Sequence, residues 1–433
     1  MSEFAANYAQ RQSLRKLPRA DLSALQLTRL NQLLAEISPQ NVFYRQKLGE
    51  PRLPLASLDE FTRWPTTHKE ELAAPPAPGQ LAVNQTWPTN QYARYHQTSG
   101  TSGRPQAVLE TRADWQWWMD VWQTIYDAAD VRPGDRVLLA FSFGPFIGFW
   151  SAFDAAVARG CLLLPAGGMS SAARLEMAQA NQVNVILCTP SYALHLAEVG
   201  RRHHLPVAAL GVRQLVLAGE PGGSIPSVRA KISAEWQAAV HDHAGATEVG
   251  PWGVGDAAGE GLFVIESDFI AEFFTPGTDE PAPEGELAEL VLSCLGRAGC
   301  PILRYRTRDL VRPVWRHGKD CGWVFLPGGI LGRADDMLVV RGVNIFPSSV
   351  EAILREFAGV EEFRVTVTTA EAMDQLAIEV EDANQQHEVI AETLRSRLGL
   401  KVLVHPAPAG SLPRFEGKGK RWVDLRGKNN TSL

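Results

Sequence analysis

The chain has 433 residues, 45% of them hydrophobic and 21% charged, which suffices for one large core and a smaller one. Lys and Arg number 42 against 48 Asp and Glu, and the formal charge of -6 points away from a nucleic-acid surface while leaving room for nucleotides and organic acids held by local donors. No stretch reaches the length of a membrane span, the N-terminal MSEFAANYAQRQSLRKLPRADL lacks the apolar core of a signal peptide, and cysteines 161, 188, 294, 300 and 321 form no tight ligand pairs, so a cytoplasmic, reduced protein is predicted.

A first helix is predicted from about Asp21, because Leu22, Leu25, Leu30, Leu33 and Ile37 recur at helical spacing. Residues 41–48 read as a second, short helix, and Pro51, Pro65 and the PPAPGQ run mark irregular connections. Residues 95–105, YHQTSGTSGRP, form a glycine-rich loop. Thr111 and Asp114 then fit a capping box opening an aromatic helix with Trp115, Trp118 and Trp122. Segments 137–140, 161–164, 183–188 and 215–218 read as buried strands separated by helical patterns, and 141–150 as an aromatic turn entering a helix. That alternation predicts α/β architecture with a parallel sheet. From Leu262 the pattern changes to short strand candidates, GLFVI, GELAELVL and LRYRTRDLVRPV, which form a β-rich portion. Residues 1–332 are assigned to a large domain and 333–433 to a small α/β domain.

The glycine loop is the first chemical clue. Ser99, Thr101 and Ser102 offer hydroxyls, while Gly100 and Gly103 let backbone N–H groups approach an anion. The loop lacks the spacing of the common P-loop, and by itself a surface turn explains it equally well. Later segments give it context: GEPGGSIP at 219–226, HAGATEVG at 243–250, YRTRDLV at 305–311, GRADDMLVVRGVNIFP at 332–347 and RFEGKGKR at 414–421. In this order they resemble the adenylate-forming superfamily, most closely phenylacetate-coenzyme A ligases and related aryl-acid ligases.

The resemblance implies a large N-terminal adenylate-forming domain and a small mobile C-terminal α/β domain that completes the adenylation and thiolation sites. It implies ATP, Mg²⁺ and coenzyme A as cofactors and an aryl carboxylic acid as substrate, with a homodimer common among such ligases. A carrier protein or an amine is the alternative acyl acceptor. By position, Ser99, Gly100, Thr101, Ser102 and Gly103 resemble the phosphate-binding loop, and Gly219, Glu220 and Pro221 the segment beside adenine. Thr247 would contact the α-phosphate, Glu248 would hold Mg²⁺, and Asp309 would bind the ribose hydroxyls with Arg333 nearby. Asp335 resembles the hinge, and Lys418 the mobile lysine of adenylation. Phe141, Phe143, Ala218 and Val249 are candidate walls of the acid pocket, with core packing the competing role.

These residue types suit the chemistry. A carboxylate attacking the α-phosphorus needs positioning and stabilisation of the departing pyrophosphate. Glu248 is a hard oxygen ligand suited to Mg²⁺, against the alternative of a surface or helix-start residue. The carboxylate of Asp309 can accept from two ribose hydroxyls; pairing with Arg306 or Arg308 is the structural alternative. Lys418 lies between glycines that suit a mobile turn, and Lys420 stands close by. One departure stands out. The resembling ligases often carry an aromatic residue immediately before the glycine of the Thr-Glu motif, where this chain has Ala244.

Overall fold

A computed structural model describes residues 3–98, 105–315 apart from 142, 143, 145, 146 and 149, then 321–341, 343–370, 373–415 and 420–426. The chain opens with two helices, Glu3–Arg15 and Arg19–Ile37, where the sequence suggested one starting near Asp21. The extra helix has little apolar periodicity to announce it; Arg11 instead pairs with buried Asp127 at 2.6 Å. Leu22, Leu30, Leu33 and Ile37 are buried as their spacing predicts. Asn41 caps the helix Val42–Leu48, accepting from Tyr44 N at 2.9 Å.

The capping box forms as expected. The Thr111 hydroxyl accepts from Asp114 N at 3.1 Å, and Asp114 Oδ2 accepts from Thr111 N at 2.9 Å, starting the helix Arg112–Ala128. Trp115, Trp118 and Trp122 are buried along it. Replacing Thr111 with Ala is expected to lower stability by about 1 kcal/mol, read as a lower denaturant midpoint at unchanged slope.

Among the described residues the largest sheet has eight strands. Five of them run parallel: Leu162–Pro165, Arg136–Leu139, Val185–Cys188, Gln214–Leu217 and Ala239–Ala246, in that spatial order. Three more, Gly250–Gly255, Gly261–Val264 and Phe325–Pro327, continue it antiparallel. The period-2 alternation of a strand divides the apolar runs between two cores. Val137, Leu139, Val185, Leu187 and Val216 join one cluster, and Leu138, Ile186, Cys188, Leu215 and Leu217 the other. Both faces are therefore covered, which is why these strands read as nearly continuous apolar runs.

The β-rich portion is a four-stranded antiparallel sheet, Phe269–Phe274, Ala288–Cys294, Tyr305–Val311 and Gly332–Arg333. Beyond it, a hairpin Leu338–Val340/Val343–Ile345 leads to a second four-stranded sheet ordered Val402–Pro406, Met373–Asp382, Val360–Ala370, Trp422–Asp424. The helices Pro347–Leu354 and His387–Leu398 help to close its separate core around Val350, Leu354, Phe363, Val365, Ile378 and Leu394. No helix among the described residues is long and apolar enough to cross a membrane.

Candidate active site

The predicted motifs converge because they follow the carboxyl ends of neighbouring parallel strands. Phe141 comes after Arg136–Leu139, Thr189 after Val185–Cys188, Ala218 to Pro221 after Gln214–Leu217, and Thr247 after Ala239–Ala246. In open α/β sheets ligands bind along this edge. Glu220 Oε1 accepts from Ser191 N at 2.8 Å, so the 219–221 segment is fastened to the first turn of the helix Pro190–Arg202. Burial and the nearby Glu351 carboxylate push the Glu220 carboxyl up, while Ser191 and Arg421 pull it back. Glu351 and Arg421 both belong to the C-terminal portion, which therefore reaches this segment.

Thr247 to Val249 form the turn joining the last parallel strand to its antiparallel neighbour. Glu248 is buried there, and its Oε1 accepts from the Tyr305 hydroxyl at 3.4 Å. The turn is braced from behind. Arg297 donates to the Glu248 carbonyl at 2.5 Å and pairs with Glu110 at 2.6 Å, with both side chains almost wholly buried. Asp114 Oδ1 accepts from Ala298 N at 2.9 Å and Gly299 N at 3.2 Å, so the capped start of the Arg112–Ala128 helix fixes the loop that carries Arg297. Sequence reading missed this support, since nothing local links Glu110, Asp114 and Arg297.

Glu248 suits magnesium bound through one carboxylate together with phosphate oxygens and water. The 3.4 Å contact from Tyr305 is long and leaves the carboxylate lone pairs for a cation. Among the described residues no group of three or more His, Cys, Asp or Glu forms a cage for a metal held by protein alone.

Asp309 lies on the strand that begins at Tyr305, directly opposite Arg333 on the next strand. Arg333 Nη1 stands 3.4 Å from Asp309 Oδ1, and its Nε lies 2.9 Å from Asp335 Oδ1. The candidate ribose acid and the candidate hinge acid thus share one guanidinium. Desolvation opposes ionisation of Asp335, but Arg333 outweighs it and holds that carboxyl below its usual range. Arg306 pairs with Asp279 and Glu289, and Arg308 with Glu70 and Asp335. Arg308 adopts φ 62°, a left-handed conformation that costs a β-strand residue about 1–2 kcal/mol, where the pairing with Ala288–Cys294 shifts register between Glu289 and Val291.

Of the candidate pocket walls, Val249 is wholly buried, Ala218 nearly so, and Phe141 partly buried, all packed in or against the same core cluster. Ser99, Gly100, Thr101, Ser102, Gly103, Phe143 and Lys418 lie outside the described residues.

Ala244 faces Gly253 across the hairpin, so closely that a Cβ added at Gly253 would lie 2.9 Å from the Ala244 Cβ. His243 is buried against Trp122, with ring centroids 4.4 Å apart, and its Nδ1 lies 2.8 Å from the Gly253 carbonyl. Burial lowers its pKa to about 4 and keeps the ring neutral.

Asp242, which the sequence did not single out, sits beneath the 219–226 segment. Its Oδ2 accepts from the Ser224 hydroxyl at 2.5 Å, and a Cβ at Gly223 would meet its Oδ1 at 2.5 Å. Glycine at 223 is therefore a requirement of close approach. Burial raises the Asp242 pKa from 3.8 to about 6. A raised acid stabilises the fold fully below its unfolded value and loses that contribution as pH rises through about 6. Asp242→Asn is expected to flatten the fall in stability between about pH 4 and 6; an unchanged pH profile would contradict a titrating carboxyl there.

Residues 23–265 match the AMP-binding enzyme family, and residues 342–426 match its C-terminal domain. The chain belongs to the AMP-binding enzyme family. Relatives of this AMP-binding enzyme include phenylacetate-coenzyme A ligase from Thermus thermophilus, 32% identical over 95% of this chain and 98% of the relative. The Pseudomonas putida enzyme of that name is 30% identical over 96% and 98%. Among solved structures, 2-hydroxyisobutyryl-CoA ligase in the postadenylation state with 2-HIB-AMP superposes at TM-score 0.89, with 28% identity over 95% of this chain and 91% of that one. The same ligase with 2-HIB-AMP and CoA in its thioesterification state gives 0.71, with 29% identity over 96% and 92%. The overall arrangement of this chain is thus closer to the former.

Proposed function

We propose that this AMP-binding enzyme condenses an aryl carboxylic acid with ATP to an acyl-adenylate and then transfers the acyl group to coenzyme A. The observation that carries the reading is Glu248, a buried carboxylate in a braced turn at the carboxyl edge of the parallel sheet, contacted by the strand that bears Asp309. In the first half-reaction an acid oxygen bonds to the α-phosphorus while the bond to the β-phosphate oxygen breaks, releasing pyrophosphate. Thr247 and the 99–103 loop bind phosphate oxygens, Asp309 accepts from the ribose hydroxyls, and Arg333 orients Asp309. Glu248 would hold magnesium, which would supply charge neutralisation of the triphosphate. Lys418 donates to the acid and phosphate oxygens and orients the attack. In the second half the thiol of coenzyme A, having lost its proton to solvent, attacks the acyl carbonyl, and AMP leaves with the electron pair of the broken C–O bond. The aryl preference is supported by the relatives' named substrate and by aromatic Phe141 at the sheet edge.

The test is acid-dependent conversion of ATP to AMP across aryl, short aliphatic and hydroxy acids, with and without coenzyme A, with the acyl product identified by mass. An aryl-CoA thioester is the expected product. AMP and acyl-adenylate without a thioester would move the acceptor to a carrier protein or an amine, and a preference for small aliphatic acids would reject the aryl pocket.

A further inference from the structure

Arg414 occupies a position that the reaction chemistry alone does not explain. Its Nε and Nη2 each lie 2.9 Å from a Glu198 carboxylate oxygen on the helix Pro190–Arg202. Its Nη1 and Nη2 also reach Glu381, on the strand Met373–Asp382, at 3.0 and 2.7 Å. One guanidinium is therefore bidentate to two carboxylates, one in each domain, and the side chains are 16, 10 and 3% exposed for Arg414, Glu198 and Glu381. Bidentate pairs of this kind are strong and orientation-specific.

The two halves of the cluster remain satisfied if they part. Glu381 also accepts from Gly410 N at 2.9 Å and Leu412 N at 2.7 Å, so Arg414 and its loop form one unit with the C-terminal sheet. Glu198 keeps Arg202, one turn along its own helix. Separating Glu198 from Arg414 strands neither charge, unlike the breaking of a buried pair that has no second partner. Arg414 stands four residues before Lys418. On the other side, Arg421 pairs with Glu362 at 2.5 Å, inside the C-terminal sheet. Arg414 thus carries the ion pair from this short segment to the large domain, while the ion pairs of Arg421 stay within the C-terminal portion.

We propose that Arg414 is a positioning residue for adenylation, its Glu198 salt bridge holding the C-terminal domain against the helix Pro190–Arg202 until acyl transfer requires the domains to part. The proposal rests on the adenylation and thiol-transfer reading above. Glu198→Gln, which keeps the side-chain shape, and Arg414→Lys, which keeps the charge but loses the fork, are compared with the wild type. Two rates are measured separately: pyrophosphate release with acid and ATP, and thioester formation from supplied acyl-adenylate and coenzyme A. Hydrogen exchange is followed in the peptide covering residues 190–202. Both variants are expected to slow adenylation about tenfold, leave thioester formation within about twofold, and raise exchange in that peptide. Equal loss in both half-reactions, or no loss in either, would overturn the proposal. If the wild type forms no adenylate with any acid, the functional reading fails instead; exchange then decides the strut alone, and unchanged exchange in both variants rejects it.

Discussion

Glu248→Gln is expected to reduce acid-dependent AMP formation by about 10²–10³-fold, with little loss of stability. Gln preserves the shape and one carbonyl acceptor for the Tyr305 hydroxyl, and the Arg297 bond goes to the backbone carbonyl, which the substitution leaves in place. What is lost is the negative charge that would face magnesium and the triphosphate. Because Mg²⁺ takes few protein ligands, removal of one carboxylate should also raise the magnesium concentration needed for half-maximal rate. The checks are a magnesium titration of pyrophosphate release and a denaturant melt of the same sample. A variant that retains wild-type turnover and magnesium dependence would remove Glu248 from the metal site.

Arg297→Met is expected to produce the largest loss of stability, about 3–5 kcal/mol in unfolding of the large domain. Glu110 is fully buried. Burial pushes its carboxyl up, and Arg297 opposes that shift and favours the ionised form. Without the guanidinium the carboxyl must bind a proton or force its surroundings open. The double variant Arg297→Met, Glu110→Leu removes both charges and should recover most of the loss, since an apolar pair of similar volume avoids the desolvation cost. Activity should not return with stability, because the Glu248 carbonyl still lacks its donor. A single variant as stable as the wild type, or a double variant less stable than the single, would show that the pair does not brace the turn.

Both expectations concern one short turn, yet their legibility in the sequence differs. Thr247 and Glu248 stand in an ordered set of motifs that the sequence displays openly. The partners that make the turn rigid do not. Glu110 and Arg297 are 187 residues apart, and each reads as an ordinary charged residue in its own neighbourhood. The same holds for Asp242, whose neighbours Gly223 and Ser224 arrive from a different loop. Asp309 is intermediate: the residue, with Arg333 nearby, was legible from the resemblance, but the ion pair between them came from the register of two antiparallel strands.

Local and periodic information determined a great deal. The capping box at Thr111 and Asp114, the four apolar strands from residue 137 onward and the β-rich change after Leu262 all depend on short-range sterics and alternation, which a linear sequence carries in full. Weakly periodic segments escaped it: the helix Glu3–Arg15 is docked with an ion pair to Asp127, and a single distant charge leaves no pattern. Tertiary structure alone decided which strand ends adjoin, which guanidinium serves which carboxylate, and how the C-terminal sheet sits on the helix Pro190–Arg202. Those outcomes depend on through-space distances of a few ångströms between groups far apart in the chain, and desolvation and charge pairing take their magnitude only once such groups have been brought together.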